Sequence, residues 1–148
     1  MRFVGVNGIG TNGAGNIDLL LARLRKRGFE TVDVRLKWRH FITASWGAKR
    51  DAYDIVKNSR DGDIVVAHSY GALRTYRAHF LRKYKAILCI APAMEPDEQW
   101  RDPSIVHSFY SKSDWAIRIG SAIPGHPFGP AGLRGFDQPG TTNHEFAV

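Results

Sequence analysis

The chain of 148 residues contains a single cysteine and no long apolar run. Cys89 therefore cannot form a disulfide within the chain, and no group of cysteines and histidines has the spacing of a zinc site. The apolar runs are too short to span a bilayer, and the N-terminus lacks the charged and then apolar segments of a signal sequence. We therefore expect a cytoplasmic protein that has no membrane span and needs neither a metal nor another cofactor.

Acidic residues are fewer than basic ones, 14 against 21, which gives a formal net charge of +7. Most of the predicted helical basic residues lie opposite the apolar stripe, where solvated charges are usual. No helix-turn-helix, RNA-binding or zinc-finger signature accompanies them, so we expect a solvated basic face and no nucleic-acid partner. Two groups carry much of the charge: Arg23, Arg25, Lys26 and Arg27, then Arg74, Arg77, Arg82, Lys83 and Lys85.

Apolar runs alternate with helical patterns along the chain, which predicts a single α/β domain over residues 1–148. We expect a mostly parallel sheet of five to six strands with helices on both faces. The predicted strands are Phe3–Val6, Thr31–Leu36, Ile64–Ala67, Lys85–Ile90 and Ile105–Tyr110, with a short sixth near Leu133–Phe136. The core-facing helical positions are predicted to include Ile17, Leu20, Leu21 and Leu24, then Tyr53 and Val56, then Leu73, Tyr76, Arg77, Phe80, Leu81 and Tyr84.

The most informative segment is the run from Ile64 to Leu73, IVVAHSYGAL. An apolar, β-branched stretch leads into Ser69, and a helical pattern begins directly after it. This is the form of a nucleophile elbow, a strand–turn–helix corner with the usual pattern G-x-S-x-G. Gly71 supplies the second glycine, and Ala67 replaces the first with the next smallest side chain. The pattern predicts that Ser69 is a nucleophile.

A nucleophilic serine needs a base and a group that orients the base. Asp114 follows the predicted strand that ends at Tyr110, and His144 comes thirty residues later. The order serine, acid, histidine is the one this type of fold uses. Each residue alone has an ordinary structural role, as a helix cap or an exposed tail, so the interpretation depends on the three together. His126 is the other candidate base.

The oxyanion of an acyl-transfer intermediate is commonly held by two backbone amides. The residue after the nucleophile, Tyr70, would supply one of them. The glycine-rich loop Asn7–Gly13 follows the first predicted strand and can turn a second amide inward. Ile9 is the predicted second donor.

These segments resemble those of the α/β-hydrolase superfamily. Val6–Gly10 is similar to the His-Gly oxyanion loop of that family, with Asn7 in place of the histidine, and Ala67–Gly71 resembles the elbow. Asp114 and His144 match the acid and base positions. The resemblance implies a minimal α/β-hydrolase fold and a serine hydrolase, carboxylesterase-like, acting on a small acyl substrate without a cofactor.

Two other functions stay open. The letters of Gly8–Gly13 also match the dinucleotide-binding pattern G-x-G-x-x-G, and Asp33 stands where a ribose-binding acid is expected. This alternative leaves Ser69 unexplained, and the next helical pattern begins late, around Asn16. The second alternative is a hydrolase-like binding module without catalysis, which applies if His144 does not reach Ser69.

Overall fold

The computed structural model describes residues 1–8, 16–35, 44–122 and 128–146. The strands are β1 (Arg2–Val6), β2 (Glu30–Val34), β3 (Ile64–His68), β4 (Ala86–Ile90), β5 (Val106–Tyr110) and β6 (Thr142–Glu145). The helices are α1 (Asn16–Lys26), α2 (Ala44–Asn58), α3 (Tyr70–Ala78), α4 (Trp115–Ser121) and α5 (Ala131–Arg134). Within these ranges no helix is long and apolar enough to cross a membrane.

The six strands form one open sheet in the order β2-β1-β3-β4-β5-β6, and every neighbouring pair is parallel. Parallel strands covered on both faces have near-continuous apolar runs, as in β3 and β4, whereas the edge strand β2 has the alternating sequence ETVDV with only Val34 buried. The ends of the first five predicted strands agree with the structure to within two residues. Leu36, the predicted end of the second strand, lies outside the described residues. The predicted α/β fold with a parallel sheet is confirmed.

Helices cover both faces of this sheet. Successive residues of a strand point to opposite faces, and Val65 and Val66 of β3 accordingly belong to different core clusters. Val66 packs with Ile17 of α1, whereas Val65 belongs to the cluster that contains Ile55 of α2. The core therefore lies in two layers, one on each side of the central strands.

The sixth strand was predicted at the wrong place. The segment predicted near Leu133–Phe136 begins in helix α5, where the Leu133 N–H donates to the Pro130 carbonyl at 2.8 Å and Gly135 follows with φ +82°. The strand that completes the sheet is Thr142–Glu145, whose four residues are all exposed. An edge strand of polar residues has neither an apolar run nor an alternating pattern, so the sequence offers no ordinary strand signal there.

Three residues predicted to face the core are instead exposed. Tyr53 is 64% exposed, Phe80 47% and Leu81 53%. The helical spacing was extended too far, because α3 ends at Ala78 and Phe80 and Leu81 lie in the turn that follows. Arg74 shows the opposite error, since it was predicted to be solvated and is 1% exposed.

Candidate active site

Ser69 lies in a strained turn between β3 and α3. Its backbone has φ 52° and ψ −124°, a conformation that costs a non-glycine residue about 1–3 kcal/mol. The Ser69 N–H donates to the Ile90 carbonyl at 2.9 Å, and the Ser69 carbonyl accepts from the N–H groups of Ala72 at 3.0 Å and Ala93 at 3.2 Å. Bonds to the segment after β4 and to α3 therefore hold the strained residue. Strain of this kind is concentrated at functional sites.

Two glycines allow the end of β1 to approach this turn. A Cβ on Gly71 would lie 2.4 Å from the Val6 carbonyl oxygen, so any side chain there would push α3 away from β1. A Cβ on Gly8 would lie 3.0 Å from the Cβ of Ser69 and 3.4 Å from its Oγ. Ala67 pairs with Val6 in the sheet and is fully buried. The small residues of the predicted elbow are therefore required by direct backbone packing.

The turn also lies where the direction of the sheet order changes. From β1 the chain goes to β2 on one side and then to β3 on the other side. In open α/β sheets, the crevice at the carboxyl ends of two such strands is the usual ligand site. Gly8 follows β1 and Ser69 follows β3, so both lie at this crevice.

Asp114 lies at the same carboxyl edge of the sheet, between β5 and α4. Its Oδ1 accepts from the Ile117 N–H at 3.1 Å, so the carboxylate caps α4. Its charge also acts on His68, the residue before Ser69. Burial lowers the pKa of His68, and the negative charge of Asp114 opposes this shift only in part. Asp114 is therefore close enough to the elbow to act electrostatically on His68, a histidine that the triad prediction did not use.

His144 does not lie beside Ser69. It lies within β6, paired with Phe109 of β5, and its ring stacks on the Phe109 ring at a centroid distance of 4.6 Å. Two strands separate β6 from β3, and a spacing of ~4.8 Å per strand gives a lateral distance of about 14 Å. The ladder continues to the pair Tyr110 and Glu145, which holds His144 inside a strand. Chain order alone cannot distinguish a histidine inside a strand from one that follows it.

The ring of Tyr70 lies over a buried ion pair. Arg74 Nη2 is 2.8 Å from Asp51 Oδ2, and both side chains are 1% exposed. The Arg74 Cζ is 4.3 Å from the centroid of the Tyr70 ring, and the Phe128 ring is nearly perpendicular to that ring at a centroid distance of 5.2 Å. Tyr70 begins α3, and N–H groups of a first helical turn point toward the N-terminus. The pair therefore supports the residue whose amide was predicted to bind the oxyanion.

Two predicted site residues, Ile9 and His126, lie outside the described residues, as does most of the loop that would bind a dinucleotide. The sheet order bears on that alternative. The dinucleotide pattern belongs to sheets in the order 3-2-1-4-5-6, whereas here β3 lies directly beside β1. Asp33, the proposed ribose ligand, is already engaged, since its carboxylate accepts from Arg35 Nε at 2.9 Å and lies 3.4 Å from Asn7 Nδ2.

Comparison with known proteins does not assign this site. The chain matches no protein-family model, and no curated protein has significant sequence similarity to it. The function therefore has to be argued from the geometry around Ser69.

Proposed function

We propose that this protein is a serine hydrolase of the α/β-hydrolase type that cleaves small carboxylic esters, with Ser69 as the nucleophile. The observation that carries the proposal is the backbone of Ser69, at φ 52° and ψ −124° between a parallel strand and a helix. An N-terminal helix cap is the ordinary role of a serine here, but the Ser69 side chain makes no capping hydrogen bond to α3. Its strain is therefore not explained by capping.

In the proposed reaction, Ser69 Oγ forms a bond to the acyl carbon of the ester, and the carbonyl oxygen becomes an oxyanion. The Tyr70 N–H donates to that oxyanion, and Ile9 is the proposed second donor. The proton of Ser69 passes to an imidazole. The bond between the acyl carbon and the ester oxygen then breaks, and the imidazolium gives the proton to that oxygen, so that an alcohol leaves. Water then cleaves the acyl-enzyme by the same route.

The proposal retains His144 as the base and Asp114 as its partner. Proton transfer requires an imidazole nitrogen about 3 Å from Ser69 Oγ. His144 stacks on Phe109 in the described arrangement, so this part of the proposal requires the end of β6 to rearrange. The base is for this reason tested separately from the nucleophile.

The test is labelling with a fluorophosphonate probe, followed by intact mass, together with hydrolysis of p-nitrophenyl acetate. We expect one adduct on the wild type and none on Ser69→Ala. Ser113→Ala is the matched control, because this serine lies in the ordinary turn before Asp114 at the same edge of the sheet, and it should label like the wild type. His144→Ala should slow labelling and hydrolysis by about 10²–10⁴-fold.

The possible results separate the two parts of the proposal. If His144→Ala is fully labelled and Ser69→Ala is not labelled, Ser69 is supported as the nucleophile and His144 is rejected as the base. His126→Ala would then be the next variant to test. No adduct on folded wild-type protein would reject the hydrolase. The position of His144 would then favour the second candidate function, a binding module that uses the same crevice without catalysis.

A further inference from the structure

A cavity of about 430 Å³ opens at the amino ends of the strands, opposite to the carboxyl ends where Ser69 lies. It lies between the end of α3 and the beginnings of β4 and β5, and its lining includes His79, Tyr84 and Ile105. Strands of five residues, at ~3.3 Å per residue, place it about 17 Å along the sheet from the elbow. Its volume is within the range of small-molecule sites, and nothing in the proposed hydrolase uses it.

The lining of this cavity is strongly basic. Arg82, Lys83 and Arg101 all contribute to it, against one carboxylate, Asp102. The Oδ1 of Asp102 already accepts from the N–H of Ser104 at 3.2 Å and from its hydroxyl at 2.6 Å. Among the described residues, no carboxylate lies within 4 Å of the charged groups of Lys83 or Arg101. Asp61 offsets the charge of Arg82, with which it forms an ion pair at 3.7 Å, so the excess of positive charge at the cavity comes from Lys83 and Arg101.

Arg82 is held at the cavity and keeps a buried donor that has no acceptor in the described part of the chain. Its Nη2 donates to the Val56 carbonyl at 3.1 Å, and its Nη1 lies 3.7 Å from Asp61 Oδ1. The Nε group is buried and has no acceptor. A buried donor without an acceptor costs free energy, so Arg82 keeps an unmet hydrogen-bond requirement beside the cavity.

His79 forms a rigid, uncharged wall. Its Nδ1 bonds to the Tyr76 carbonyl, and its Nε2 accepts from the Arg101 N–H at 2.9 Å, which fixes the neutral tautomer. Burial lowers the pKa of His79, in keeping with that state. Because the ring bonds to the backbone of Arg101, it fixes the position from which that guanidinium reaches the cavity. Ile105 adds a half-buried apolar surface.

We propose that this cavity binds the phosphate group of a small phosphorylated compound. Arg82, Lys83 and Arg101 are its charged ligands, and the apolar part of the compound lies against Ile105 and His79. The guanidinium fork matches the geometry of phosphate oxygens, and the two cations without an ion-pair partner among the described residues, Lys83 and Arg101, suit the nearly two negative charges of a phosphomonoester at neutral pH. The proposal does not depend on Ser69 or on hydrolysis.

The test is calorimetric titration of the full chain with pyrophosphate and with inorganic phosphate, at constant ionic strength. We expect saturable binding of one pyrophosphate. The double variant Lys83→Gln/Arg101→Gln should weaken it at least about tenfold, since each charged contact contributes that much. Arg25→Gln/Lys26→Gln, which removes the same charge from exposed positions of α1, should change it less than about twofold.

Equal weakening in the two double variants would mean that pyrophosphate responds only to net charge, which would overturn the site. Absence of saturable binding to the wild type would overturn it as well. A third arm measures a single-stranded oligonucleotide. If it binds through Lys83 and Arg101 while pyrophosphate does not compete, the basic surface serves nucleic acid and the proposal is wrong.

Discussion

The buried pair Asp51–Arg74 gives the strongest single prediction about stability. Arg74→Met removes the cation and leaves the Asp51 carboxylate buried without it. Breaking a buried pair from one side costs about 3–5 kcal/mol, because the remaining charge has lost its partner but not its desolvation penalty. The contact of the guanidinium with the Tyr70 ring is lost too, at about 0.5–2 kcal/mol. We therefore expect Arg74→Met to lower the free energy of unfolding by at least about 3 kcal/mol.

The double variant Asp51→Leu/Arg74→Met removes both charges and should be more stable than Arg74→Met alone, since apolar replacements of buried pairs are often nearly neutral. Urea unfolding followed by tryptophan fluorescence measures the free energies of the wild type, the two single variants Asp51→Leu and Arg74→Met, and the double variant. Arg77→Met, a half-exposed position on α3, is the matched control and should cost less than about 1 kcal/mol. If Arg74→Met costs no more than this control, or if the two single effects simply add, the reasoning from the buried pair is refuted.

Two further predictions concern backbone packing and pH. Gly71→Ala should lower the free energy of unfolding in urea by about 1–3 kcal/mol and reduce phosphonate labelling. The reason is that the new Cβ would lie 2.4 Å from the Val6 carbonyl oxygen. An unchanged midpoint of the urea unfolding curve would contradict the close packing. For the Arg2–Asp63 pair, burial raises the pKa of Asp63, but the two bonds from Arg2 and one from the Arg60 N–H outweigh it and lower the pKa overall. The stabilisation by this pair is therefore complete above the ordinary carboxyl pKa and is lost as the pH falls below it. The difference in unfolding free energy between wild type and Arg2→Met should shrink from pH ~6 to pH ~3. A difference that stays constant over this range would contradict the prediction.

The fold could be predicted where local pattern and tertiary environment agree. β3 and β4 are interior strands of the parallel sheet and have continuous apolar runs, whereas β2 lies at the edge and has the alternating sequence ETVDV. β6 was not predicted, because an exposed edge strand needs no apolar side chains. The predicted stripe of α3 was extended through Phe80 because a periodic pattern does not record that the helix ends at Ala78.

The candidate site could likewise be predicted where it depends on adjacent residues, and not where it depends on residues from distant parts of the chain. Ser69 and Gly71 form a local pattern, and the strained φ and close packing found there follow from a few adjacent residues. The pairing of Asp51 with Arg74 joins two helices, and no spacing within either helix specifies it. The position of His144 depends on how far the pairing between β5 and β6 continues. This depends on the sequence of β5 as well as on the residues around His144.

The sheet order has a consequence for how this protein is made. The crevice lies where β1 and β3 pair. The Arg2 guanidinium hydrogen-bonds to the carboxylate of Asp63, which is 61 residues further along the chain. Contacts between such distant residues form slowly, because closing the long intervening loop costs conformational entropy. On the ribosome, the strand made first can pair with its inner neighbour only after nearly half of the chain has emerged. The bonds of Ser69 to Ile90 and Ala93 need a still longer chain, so a nascent chain stopped before β4 carries no complete nucleophile turn.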